Sequence, residues 1–220
     1  MSDIFDEVAD DLRRERAAQA WKKFAPYVIA VAVLIVVGVG GYRTWEWYEA
    51  KQSAESGDRF AAALALAEDG KAAEALAAFQ AMGADAPQGY ATLARFRAAS
   101  EQAAQDAGQG IAAFTALAND TGLSKTLRDL ATLRAGLLEL DQGNIEAVRQ
   151  RLEPLAEPGN PWRHQAREAL VFSAMSAEDD AAAKRWLDLA EEDTELPPGV
   201  RSRLQIASGL LAGRSSTAAD

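Results

Sequence analysis

Residues 133–152, LRAGLLELDQGNIEAVRQRL, contain one complete helix–turn–helix unit. Leu133, Gly136, Leu137 and Leu140 recur at offsets 0, 3, 4 and 7, the spacing of a single helix face. Gly143 interrupts the helix, and Val148 and Leu152 lie four apart on the run that follows. Small residues in the middle of the first face let a second helix come close, and a pair of this length hides only part of its apolar surface. Such pairs must stack.

The same pattern recurs outward in both directions. First helices carry Phe60/Ala63/Leu64/Ala67, Phe96/Ala99/Ser100/Ala103 and Ala166/Ala169/Leu170/Ser173. Gly70, Gly108, Gly143 and Ala177, spaced by 38, 35 and 34 residues, precede Ala75/Phe79, Ala113/Leu117, Val148/Leu152 and Ala182/Trp186. That spacing is close to the tetratricopeptide period. Pro87, Pro161 and Pro197 stand near the starts of three first helices, and Asn119 to Gly122 with Ser124 break the chain at the remaining one. Pro198 to Gly213 reads as a capping helix and residues 214–220 as a disordered tail. No stretch carries a strand signal, so the expected fold class is all-α: a tetratricopeptide-like α-solenoid of about four helix pairs plus a capping helix, over residues 43–213.

Between Lys23 and Arg43 lie nineteen uncharged residues, Phe24 to Tyr42, FAPYVIAVAVLIVVGVGGY. As a helix they extend roughly 28 Å, the thickness of a bilayer core. Trp21, Tyr27, Tyr42, Trp45, Trp47 and Tyr48 mark its two ends as interfacial belts. Arg13, Arg14, Arg16, Lys22 and Lys23 precede the run, against Arg43, Lys51 and Arg59 after it. The positive-inside rule then predicts one transmembrane helix (24–42), a cytoplasmic tail (1–23) and an outer domain. An acid-rich leader and the absence of a small-residue cleavage site disfavour a removable signal peptide. Ile4, Phe5, Val8 and Leu12 form a short apolar stripe in the tail. Gly57 marks a place where the helix leaving the span could break.

Composition narrows the function. With no cysteine and one histidine, the chain has no thiol nucleophile, thiolate metal site or His-rich cage. Its net charge of −10 argues against nucleic acid as a partner. No phosphate loop, calcium-loop spacing or nucleophile–base pair is visible, so neither an enzyme, nor a cofactor, nor a small-molecule substrate is expected.

The segment EVADDLRRERAAQAWKKFAPYVIAVAVLIVVGVGGYRTWEWY followed by degenerate repeats resembles the bacterial family of ancillary SecYEG translocon subunits of the YfgM type. The resemblance rests on Trp21-Lys22-Lys23-Phe24, on Gly38, Gly40 and Gly41, and on Trp45, none of them catalytic. It implies a single-span protein of the bacterial inner membrane, N-terminus cytoplasmic, whose periplasmic repeats contact the SecYEG channel and a periplasmic chaperone.

Candidate partner contacts follow from the repeat. Residues one step past the first core position should face the concave wall, and Arg97, Arg134 and Arg167 occupy it. Such a ladder can hold carboxylates or carbonyls of an extended segment, with Leu138, Trp162 and Val171 adding apolar contact and His164 a polar one. Ordinary solvated faces, Arg97 pairing with Glu101 one turn on, are the competing account. The acid clusters Glu178/Asp179/Asp180 and Glu191/Glu192/Asp193 read as helix ends, the second of them without an explanation. A membrane-tethered interaction module is the expected function. An envelope scaffold for cell-wall or division proteins is the alternative.

Overall fold

Helix-forming residues separated by short Gly, Asn and Pro breaks fold into nine α-helices in the computed structural model, which describes the backbone of residues 3–217. Side chains are described at residues 18, 21–23, 27, 30, 31 and 33–214; the tail stripe Ile4, Phe5, Val8 and Leu12 lies outside them. The helices are α1 (Asp3–Glu68), α2 (Ala72–Asp85), α3 (Gln88–Gln105), α4 (Ala107–Ala118), α5 (Lys125–Asp141), α6 (Ile145–Leu152), α7 (Arg163–Ser176), α8 (Asp180–Glu191) and α9 (Pro198–Thr217). A 3-10 turn, Glu153–Leu155, follows α6, and no strand occurs among the described residues.

The chain divides into two units, Met1–Glu55 and Ser56–Asp220. In the first, every described side chain is exposed from Ala18 to Ala50, including Val31, Val33, Leu34, Ile35, Val36 and Val37. Among the described residues no helix is long and apolar enough to cross a membrane. Phe24, Ala25, Pro26, Val28, Ile29 and Ala32 of the apolar run lie outside the described side chains.

The second unit is the stack of pairs. Four clusters of buried residues follow one another along the chain: Ala75, Phe79 and Met82 on α1–α3; Phe114 and Leu117 with Ala131 and Ala135 on α3–α5; Val148 and Leu152 with Ala166 and Leu170 on α5–α7; Leu187 with Leu204 and Ala207 on α7–α9. Each cluster is shared by neighbouring helices, so each pair completes its core only against the next. Helix α1 does not break at Gly57. A Cβ there would lie 2.9 Å from the Tyr90 hydroxyl, so the glycine gives α3 room.

Turn chemistry differs between repeats. Gly70 (φ +78°) and Gly143 (φ +71°) take the left-handed conformation that ends a helix, and Glu178 (φ +57°) does so after α7. Gly108 instead lies inside α4, whose N-cap is Asp106, accepting from the Gln109 amide at 2.9 Å. Ser124 and Asp179 cap α5 and α8 in the same way. At the other end α9 runs to Thr217, and Arg214 donates to the Met175 carbonyl at 3.0 Å, so the helix continues past the boundary expected at Gly213.

Candidate protein-binding groove

Helices α3 and α5 repeat one pattern 37 residues apart: Leu93-Ala-Arg-Phe-Arg97 and Leu130-Ala-Thr-Leu-Arg134. Residues i and i+4 share a helix face, so each helix presents a leucine with an arginine one turn on. With Phe96 and Phe114 these four side chains line a groove of about 410 Å³. Leu93, which is 54% exposed, also lines an adjoining pocket of about 670 Å³ with Tyr90, Leu123 and Leu127. The groove has an aromatic floor. Phe114 is buried, with its ring centroid 6.2 Å from that of Phe96 and 5.6 Å from the Arg134 guanidinium.

Charge sets the groove's preference. Arg97 and Arg134 are exposed, and neither has a described carboxylate within ion-pair distance, Glu101 included. Arg95, two residues before Arg97, is by contrast spent on Asp120 at 2.7 Å, and that pairing with the Gly122 amide holds the Asp120 carboxyl below its ordinary value. Two unpaired guanidinium forks beside apolar rings suit a segment bearing carboxylates and aliphatic side chains.

The other expected contacts lie elsewhere. In α5, Ala131 and Ala135 pack toward α4 while Leu133 and Gly136 pack toward α6. In α7, Ala166 and Leu170 pack toward α6 while Val171 and Met175 pack toward α8. The register of the fourth repeat is therefore displaced by two residues from that expected from sequence: Ala169, not Arg167, corresponds to Arg134. Arg167 points into the packing and is buried, donating to the carbonyls of Ala156 (2.9 Å) and Leu189 (3.0 Å) and to Asp193 (3.1 Å). Val171 is fully buried, and Leu138 packs against the α4–α5 core. Trp162 is half-buried and its indole N–H donates to the Thr126 carbonyl at 2.9 Å.

His164 is buried beside Asp193, its Nδ1 3.7 Å from Asp193 Oδ2 and without a hydrogen-bond partner. Burial, then the Arg163 charge, lowers its pKa. Asp193 also accepts from Arg163 Nε at 2.6 Å and from the Glu195 amide at 3.1 Å; Arg163 above all holds its carboxyl well below the usual range. The second acid cluster thus owes its Asp193 to a structural knot joining α7 to the chain after α8. The second helices of the repeats also differ from expectation in two places: in α4 Gly110 and Phe114 are buried together with the expected Leu117 while Ala113 is half-buried, and in α8 the buried pair is Ala183/Leu187 rather than the half-buried Ala182 and Trp186.

Leu93, Phe96, Phe114 and Leu130 line the groove although none of them is among the contacts expected from sequence. The repeated Leu-x-x-x-Arg was the available signal for two of them. Among the described residues no group of three or more histidine or carboxylate side chains is placed to hold a metal ion. Comparison with known families matches residues 19–194 to the one described as tetratricopeptide repeat-like domain. No curated protein and no solved structure matches the chain.

Proposed function

We propose, from the premise that the chain belongs to the tetratricopeptide repeat-like domain family, that it is a membrane-anchored, periplasmic protein-interaction module whose α3–α5 groove takes an acidic, aliphatic segment of a partner. The fold itself fits a module that binds proteins, typically without catalysis. The observation that carries the reading is the doubled Leu-x-x-x-Arg line, with two arginines that no described carboxylate neutralises. In a protein of net charge −10, leaving two cations open beside apolar rings favours a partner over self-pairing.

Anchoring rests on the nineteen uncharged residues Phe24 to Tyr42 and on the exposure of every described apolar side chain among them. In water that surface carries a large hydrophobic penalty; in hydrocarbon it carries none. Confinement to a bilayer then raises the effective concentration of neighbouring membrane proteins, so a shallow groove suffices. The resemblance to ancillary SecYEG subunits supplies the proposed neighbours, the export channel and a periplasmic chaperone, at the bacterial inner membrane with the N-terminus cytoplasmic.

A photo-crosslinker at Leu93 in the full-length, membrane-resident protein tests this. Adducts with export components that fall several-fold in an Arg97→Ala/Arg134→Ala background are expected. Unchanged adducts in that background overturn the groove assignment, and recovery of peptidoglycan synthases instead favours the envelope scaffold. Release of the protein by alkaline carbonate refutes the anchor.

A further inference from the structure

Helix α9 is the first helix of a pair that, among the described residues, has no second helix. Its buried side chains Val200, Leu204, Ala207 and Leu211 join the core formed with Val171, Ala183 and Leu187, as Ala166 and Leu170 of α7 join the core before it. Matching those faces places Ile206 at the position held by Leu137 in α5 and Phe172 in α7. Leu137 packs against the cluster of Val148 and Leu152 on α6, and Phe172 against that of Ala183 and Leu187 on α8. Both are half-buried there. On α9, by contrast, Ile206 and Leu210 are 65% and 57% exposed. The solvent-facing side of a helix is ordinarily polar. This one is apolar.

We propose that this face docks the same face of a second copy of the chain, α9 against α9 in antiparallel sense. Two features of the face favour a second copy over an unrelated helix. The first is shape. Large residues, Ile206 and Leu210, alternate with small ones, Ser202 and Gly209, and a Cβ on Gly209 would meet nothing within 4 Å. A two-fold axis midway between Ile206 and Gly209 seats each Ile206 over the partner's Gly209, so the same patch is both knob and hole, as an isologous contact requires. The second is charge. Ser202, Ile206, Gly209 and Leu210 are uncharged, and Arg203 at the edge is engaged by Glu168, with Arg203 Nη2 to Glu168 Oε2 at 2.8 Å. Two copies of α9 therefore meet without like charges opposed. The contact is independent of the α3–α5 groove, and one helix face per copy is at the small end of interfaces, so the dimer is weak and concentration-dependent.

The chain has no cysteine of its own, which makes single-cysteine crosslinking unambiguous. Full-length Gln205→Cys, Leu210→Cys and, as an exposed control on α2, Glu74→Cys are treated with a short bismaleimide in membranes and after purification. The expected result is at least five-fold more dimer at the two α9 positions than at Glu74→Cys, falling to the control level when Ile206→Asp is added. Because Ile206 is exposed, that substitution should leave helicity and the melting midpoint in place, which separates lost docking from lost folding. Equal dimer yield at all three positions, or insensitivity to Ile206→Asp, overturns the proposal. An adduct with a different protein at Gln205→Cys and no dimer assigns the face to that protein and overturns it as well.

Discussion

Gly110 of α4 meets Ala103 of α3 almost backbone to backbone: a Cβ on Gly110 would stand 2.3 Å from the Ala103 Cβ and 2.5 Å from its Cα. Gly136 is also crowded, with Leu152 Cδ2 at 2.5 Å, but there the neighbour is the end of a side chain. Alanine ordinarily gains up to about 1 kcal/mol over glycine in a helix. At Gly110 overpacking against fixed backbone should exceed that gain, so Gly110→Ala is expected to destabilise by about 1–3 kcal/mol and Gly136→Ala by less. Denaturant unfolding of the two variants checks the order.

Arg97 and Arg167, which the sequence places on one ladder, should respond oppositely to truncation. Arg97→Ala removes an exposed side chain and is expected to shift stability by no more than about 0.5 kcal/mol. Arg167→Ala strips two carbonyls and Asp193 of a buried donor, which places the loss at about 3–5 kcal/mol. Their melting midpoints, compared under one condition, decide the matter.

Helix positions, the pairing of helices and the all-α class were legible because Gly, Pro and capping residues punctuate a 3.6-residue apolar pattern, as Ser124, Pro87 and Gly143 illustrate. Register was legible only where the core residues are large. Phe96 and Leu133 declare their face, whereas α7 offers buried residues nearly all round, from Ala166 to Val171, so periodicity there does not single out the groove side. The two-residue displacement follows from that ambiguity, and with it the misplacement of Arg167. Burial of His164 was equally illegible, since Asp193, the carboxylate beside it, comes from a distant point in the chain.

Acid should weaken the fold in two stages. His164 has a lowered pKa in the folded state, so below about pH 6.5 the unfolded chain binds the proton more readily and stability falls as the pH drops further. Asp193, also lowered, contributes stability that is complete above about pH 4 and is lost as the pH falls through its folded value. A melting midpoint that declines between pH 7 and pH 5 in the parent protein, but stays nearly level in His164→Leu, is the expected signature of the first stage.

Trp162 ties the third repeat to the fourth through a single directed bond, its indole N–H to the Thr126 carbonyl at the start of α5. The ring also packs beside the α5–α7 core, so its apolar and polar contributions can be separated by substitution. Trp162→Phe keeps an aromatic body and removes the donor, for an expected loss of about 0.5–1.5 kcal/mol. Trp162→Ala removes the packing as well and should lose more. Were Trp162 instead a partner contact on the groove wall, both variants would unfold at the denaturant midpoint of the parent and differ from it only in crosslinking yield.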